Sequence, residues 1–309
     1  MRTMKQTTLG KTGLSVTPLG FGSAPVGYVG AGDDSDARLL NAVLDSGINL
    51  IDTAASYKGA EKLIGSAIGH RRGEYVLVSK CGQKIPEAGD AKEWSAAVIT
   101  ATVDRALKRL QTDSLDVMLL HSCDLETLQK GEALGALVKA REAGKIKFAG
   151  YSGDNEAAAY AAGLPDVAVI ETSINMADQV NIHKVLPLAR QNNVGILAKR
   201  PIANAAWRQP TEQKGFYGDY AQVYHDRLKQ MKLKPEELGF PADGWSELAL
   251  RFTLSQPGTH VAIIGTTNPN NLQSNVAAVT KGPLPAETIE KIRAAFVAAN
   301  PDGSWTGQT

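Results

Sequence analysis

The sequence predicts a (β/α)8 barrel spanning residues 1–309 as a single domain, with a β-hairpin cap at its start and a long connection after the seventh strand. Three observations carry this expectation. Eight short β-rich runs follow one another along the chain, amphipathic helical patterns separate them, and the glycine signature of the competing open sheet is missing. The runs cover residues 16–22, 48–53, 75–80, 115–121, 146–152, 167–173, 194–199 and 260–265. Most are apolar on both faces, as parallel strands covered on both sides require. A doubly wound sheet would need G-x-G-x-x-G after an early strand, and none stands in that context.

Taken in order, residues 7–17 set a Gly-Lys-Thr-Gly turn between β-prone pieces, which reads as a hairpin placed to plug the bottom of the barrel. The first strand, 16–22, is interrupted by Pro18. The second, third and fourth each end on a titratable residue: INLID at Asp52, YVLVSK at Lys80 and LDVMLLH at His121. Ile99, Val103, Ala106, Leu107 and Leu110 recur at helical spacing, and Lys108 and Arg109 suit the negative end of that helix. After the seventh strand, residues 201–244 are too long for an idle loop and carry Trp207, Phe216, Tyr217, Tyr220 and Tyr224. Asn268-Pro269 reads as an N-cap with proline at the first helical position, opening a helix with Leu272, Val276 and Val279 on one face.

Composition narrows the function classes. Of 309 residues 43% are hydrophobic, enough for a large core. Lys and Arg number 33 against 32 acidic residues, a net charge of +1, which argues against nucleic acid or an anionic membrane as partner. Cys81 and Cys123 cannot form a disulfide framework and fit a reducing compartment. No signal peptide or membrane-length apolar run is seen, so the expected location is cytoplasmic. The five histidines show no metal-ligand spacing, and no metal is expected.

A polar group that ends an apolar strand must face the barrel mouth or be paired, because burying it alone costs several kcal/mol. Consecutive strand ends would bring Asp52, Lys80 and His121 together, with Tyr57 five residues beyond Asp52. A lysine beside a tyrosine favours phenolate and so lowers the phenol's pKa. Aspartate keeps the ammonium charged, and a histidine can donate to a substrate oxygen. The tyrosine then serves as general acid near neutral pH. The quartet supplies no hydride, so it implies a cofactor. Each residue alone has a plainer explanation: a helix cap, a solvated lysine or a core histidine. Their joint placement is what packing does not readily produce.

Over essentially its whole length the sequence resembles the aldo-keto reductase family. LGKTGLSVTPLGFGSAPVG is similar to that family's hairpin and first strand, and IDTAASYKGAEKLIG to its second-strand signature. VSK, LLH and IIGTTNPNNLQSN match its third, fourth and eighth strand regions. The resemblance implies Tyr57 as proton donor, Lys80 and Asp52 as its tuning pair and His121 as the group that orients the carbonyl. It also implies hydride transfer from NADP(H), with NAD(H) left open.

The implied cofactor contacts are Gly22, Ser23, Ser152, Glu171, Lys199, Arg200, Pro201, Gly265, Thr266, Asn268, Asn271 and Asn275. Three places depart from the family pattern. After strand five, GYSGDN keeps Ser152 but puts Gly153 where the family has Asn. Glu171 replaces the Gln that holds the nicotinamide carboxamide, and a carboxylate cannot donate to the amide oxygen. Strand seven ends LAKRP, without the usual stacking aromatic, and Glu171 is expected either to pair with Lys199 or Arg200 or to be solvated at the rim. No Lys or Arg stands at strand eight to clamp a 2′-phosphate, although the helix opening at Asn268 offers backbone N–H groups.

The leading expectation is a reductase of aldehydes or ketones, or in the opposite direction a dehydrogenase of the matching alcohol or sugar. A nicotinamide-binding regulatory or sensor subunit is the alternative, and a Schiff-base lyase using Lys80 a third. The aromatics of residues 201–244 suit either an apolar substrate wall or an anchor for the segment. The two cysteines read as small buried apolar groups or as redox sites.

Overall fold

The computed structural model describes residues 4–28, 34–209, 211 and 217–309. Eight parallel strands close a barrel, each neighbouring the next in chain order and the last closing on the first. Outside it, β1 (Thr7–Thr8) and β2 (Ser15–Val16) form the expected antiparallel hairpin. The barrel strands are β3 (Leu19–Gly22), β4 (Leu50–Asp52), β5 (Val76–Cys81), β6 (Leu115–His121) and β7 (Ile146–Ser152), then β8 (Val167–Ser173), β9 (Gly195–Lys199) and β10 (Val261–Ile264). Pro18 divides the first expected run. Val16 pairs in the hairpin, and β3 starts after the proline, which lacks an N–H and gives only its carbonyl to Ala262 N at 2.9 Å.

The hairpin closes the amino end. Leu9 and Val16 are fully buried in one cluster with Leu50, Val78, Val117, Leu119, Val169, Leu197 and Val261, which fill the barrel interior. Phe21, Ile51, Leu77, Met118, Leu120, Ile170 and Ile196 face the opposite way, into the layer between strands and helices. Side chains alternate along a strand. Asp52, Lys80, His121, Glu171 and Lys199 therefore share the inner parity of Leu50, Val78, Leu119, Val169 and Leu197, one step nearer the carboxyl end. The inner layer is crowded, and a Cβ on Gly20 would stand 2.9 Å from both Leu50 and Val261.

Two helices follow their sequence signals closely. Ser95 caps Ala96–Leu110 by accepting from Val98 N, and Asn268 caps Pro269–Val279 by accepting from Asn270 N. The described residues of the segment 201–244 include the helix Tyr217–Met231. Trp207 and Tyr224 act as anchors. Trp207 stacks on Trp245 with centroids 5.8 Å apart, and fully buried Tyr224 donates to Asp178 at 3.0 Å. Phe216 and the side chains of Tyr217 and Tyr220 lie outside the described residues. Among the described residues no helix is long and apolar enough to cross a membrane.

Candidate active site

The carboxyl ends of β4, β5, β6 and β8 meet at the mouth. Lys80 Nζ donates to Asp52 Oδ1 at 2.5 Å and to the Thr53 carbonyl at 3.1 Å. The same nitrogen lies 3.2 Å from Glu171 Oε2 and 5.3 Å from the centre of the Tyr57 ring. Tyr57 stands edge-on to His121 with centroids 6.2 Å apart, and Tyr28 meets its other edge at 5.9 Å. The loop that carries Tyr57 continues the sheet ladder: Thr53 N donates to Val78 O and Ala55 N to Lys80 O. From the neighbouring helix, Arg105 Nη2 donates to the Ala55 carbonyl at 3.1 Å and pins the loop.

Burial dominates the electrostatics. It would by itself lower Lys80, but Asp52 and Glu171 outweigh it and hold the ammonium above the usual lysine range. A lysine held as ammonium opposes imine formation, so the lyase alternative loses its nucleophile. Burial pushes the Tyr57 phenol up. Lys80 pulls it down, while Asp52 and Glu171 add to the rise, and the net position is above an ordinary phenol. This corrects the expectation of a lowered phenol: the cost of burying a phenolate, with the two carboxylates added to it, exceeds the pull of Lys80. Burial, then Lys80, Lys199 and Arg200, press His121 down to about 3, so it is neutral at physiological pH and retains an N–H to donate.

Glu171 does not pair with Lys199 or Arg200, nor is it solvated at the rim. It turns to Lys80, and its side chain is only 4% exposed. Lys199 has a nearer partner in buried Asp154 at 2.8 Å. Asp154 also accepts from Thr172 Oγ1, Ser173 N and Asn181 Nδ2, and these contacts with Lys199 hold it below the usual carboxylate range despite its burial. Arg200 adopts φ 54° and directs its guanidinium to Ser173 Oγ and the Gln308 carbonyl. The tail is thereby tied to the mouth, with Gln308 N donating to Asp178 and Asn155 exchanging two hydrogen bonds with Gly307. Sequence reading did not single out Asp154, although it stands within GYSGDN, because its partners Thr172, Ser173, Asn181 and Lys199 are distant in the chain. For Asp154 the available signal was an acid two residues past a buried strand.

The Gly153 place is filled from within. A Cβ there would lie 2.4 Å from the Tyr151 hydroxyl, which donates to Cys123 O at 2.7 Å. Gly153→Ala is therefore expected to destabilise the protein by about 1–3 kcal/mol, read as a lower urea midpoint. An unchanged midpoint would mean that Tyr151 moves freely. The cysteines are buried, and burial raises both thiols, Cys123 to about 12, so they are inert at neutral pH.

At the opposite side of the mouth, Gly265 packs so closely that a Cβ would touch Gly22 O and Pro25 at 2.6 Å. Thr266 Oγ1 accepts from Asn268 N and Asn271 Nδ2, and Asn275 is buried in the following helix. Ser152 is buried and pairs in register with His121 on one side and Glu171 on the other. Around this ring Ser23 Oγ and Thr53 Oγ1 are buried without hydrogen-bond partners, and Glu171 Oε2 has only its ion-pair contact with Lys80. Orphaned polar atoms at a mouth fit a polar ligand that satisfies them, such as a nicotinamide carboxamide and its ribose.

A family model described as "Aldo/keto reductase family" matches residues 18–296. L-galactose dehydrogenase of Arabidopsis thaliana is 27% identical over 296 residues, covering 88% of this chain and 87% of that protein. Among solved structures, an aldo-keto reductase from Bacillus halodurans in holo form superposes with a TM-score of 0.79 at 28% identity, covering 96% of this chain and 97% of that one. An aldo/keto reductase from Klebsiella pneumoniae in complex with NADP and acetate gives 0.71 at 25% identity, covering 95% of each chain.

Proposed function

The chain belongs to the aldo/keto reductase family, and from that membership we propose that it is an NADP(H)-dependent oxidoreductase interconverting a small carbonyl compound and its alcohol, with Tyr57 as proton donor. The observation that carries the reading is the convergence of Tyr57, Lys80, Asp52 and His121 on one inner face at the carboxyl end of the barrel. A pure nicotinamide-binding sensor would not need a phenol held between a lysine and a histidine.

The cofactor supplies the hydride when bound. Ser23 Oγ, which has no hydrogen-bond partner, and Glu171, whose Oε2 meets only Lys80, are suited to its polar groups, and Thr266, Asn268 and Asn271 with the helix they open would hold its phosphate end. His121, neutral, donates its N–H to the carbonyl oxygen and so favours the charge that develops there. Tyr57 gives that oxygen its proton, and Lys80 stabilises the phenolate left behind. Buried Asp52 keeps Lys80 cationic and aimed.

Titration of intrinsic fluorescence with NADPH and NADH, followed by turnover on aldehydes, ketones and sugars, tests the proposal. Binding of either cofactor together with turnover supports it. Binding without turnover on a broad panel favours the sensor, and no binding of either cofactor defeats both. Because no cation stands among Gly265, Thr266, Asn268 and Asn271, discrimination for NADPH over NADH is expected to be about tenfold or less in kcat/KM, the scale of one exposed charge contact. A ratio of a thousand or more would require a cation from elsewhere.

A further inference from the structure

Glu171 is the one charged group in the quartet's immediate surroundings that the chemistry above leaves with only a secondary task. Its carboxylate and that of Asp52 contact one and the same nitrogen, Lys80 Nζ, at 3.2 and 2.5 Å. Lys80 is 0% exposed in its side chain, and both acids are 4% exposed. Two carboxylates and one ammonium, all ionised, would leave a net negative charge in a dry site, at a penalty of several kcal/mol. One proton held between the acids removes that charge, as happens wherever like-charged carboxyls crowd together.

The other groups facing this cluster do not supply the missing positive charge. His121 on β6 is neutral, and Tyr57 and Tyr28 are phenols. Lys199 at the end of β9 is matched by Asp154, and Arg200 is turned to Ser173 and Gln308. Burial first, and Glu171 second, push Asp52 well above the usual carboxylate range against the pull of Lys80.

We propose that Asp52 holds one proton against Glu171 above Lys80, and that this pair is the reservoir from which Tyr57 is reset after it has protonated the product. The inference rests on the proposed role of Tyr57. In the reduction, the Tyr57 O–H bond breaks as its proton moves to the substrate oxygen, leaving phenolate. Lys80 then gives one Nζ proton to that phenolate and takes the proton of the acid pair. Tyr57 is again a phenol and Lys80 an ammonium, while both carboxylates are ionised. No electrons move in this relay, since the hydride pair comes from the cofactor. The extra negative charge appears at the moment when the oxidised nicotinamide ring carries a positive one, and solvent later returns the proton. Glu171 is thus a positioning residue acting through Lys80.

Glu171→Gln keeps the shape and removes one charge, so Asp52 becomes an ordinary ionised partner of Lys80. The first test uses the protein without cofactor. In infrared difference spectra at neutral pH, the variant is expected to lose one carboxylic-acid C=O band present in the parent. Asp178, itself pushed up to about 7 by burial and Asp154, contributes equally to both spectra and cancels. An unchanged acid band overturns the proton held by Asp52. The second test is calorimetric binding of NADP+ in two buffers of different ionisation heat. The parent should release close to one proton and the variant none, whereas equal release overturns the reservoir. If the parent binds neither NADP+ nor NAD+, the proposed function fails on its own account, and the infrared result still decides whether Asp52 holds a proton against Glu171.

Discussion

Tyr57→Phe is expected to bind NADPH as tightly as the parent and to turn over carbonyls about 10²- to 10⁴-fold more slowly, the range lost when a positioned proton donor is removed. The phenyl ring keeps the edge contacts to Tyr28 and His121, so the mouth retains its shape and the loss falls on kcat. The direction of pH dependence follows from the raised phenol. Burial and the two carboxylates keep Tyr57 protonated across the working range, so its loss of a proton should not limit reduction at moderately alkaline pH. The reverse reaction needs the phenolate as base and should climb with pH over the same range. Steady-state rates in both directions, with cofactor affinity measured separately, check the set. A Tyr57→Phe enzyme within a few-fold of the parent would remove the residue from the chemistry.

Much of this was legible in the sequence because strand periodicity and strand ends are local signals. Asp52, Lys80 and His121 each follow an alternating inner position, so their convergence required only that the strands be consecutive and parallel. The cap at Asn268 and the hairpin through Gly10–Gly13 were equally local. Glu171 was different. β5 and β8 are not neighbours in the sheet, and the reach from Glu171 to Lys80 runs across the barrel, a distance set by closure and not by any spacing along the chain. Local reasoning paired Glu171 with the cations next to it, Lys199 and Arg200, whereas those are claimed by Asp154 and by a tail more than a hundred residues away. The sign of the Tyr57 shift has a related cause, because it is set first by how deeply the closed barrel buries the phenol and then by the charges of Asp52 and Glu171, neither of which is a spacing along the chain.

Removing Lys80 should have the largest effect on stability. Lys80→Met keeps most of the side-chain volume but strands Asp52 and Glu171 without a cation, and breaking a buried ion pair from one side costs about 3–5 kcal/mol. Urea denaturation at neutral pH should register that loss as a lower midpoint at unchanged slope. The deficit should shrink on acidification. Asp52, whose folded pKa lies above the unfolded one, binds its proton preferentially in the folded state, so its unfavourable contribution is present at neutral pH and disappears as pH falls toward the unfolded value of about 4. Adding Glu171→Gln to Lys80→Met should restore part of the stability, because one buried acid then has an amide neighbour and can hold its own proton. Such a recovery is a coupling energy that a double-mutant cycle reads directly. If the two substitutions were simply additive, and the Lys80→Met deficit were equal at both pH values, Glu171 and Lys80 would not be energetically coupled despite their 3.2 Å contact.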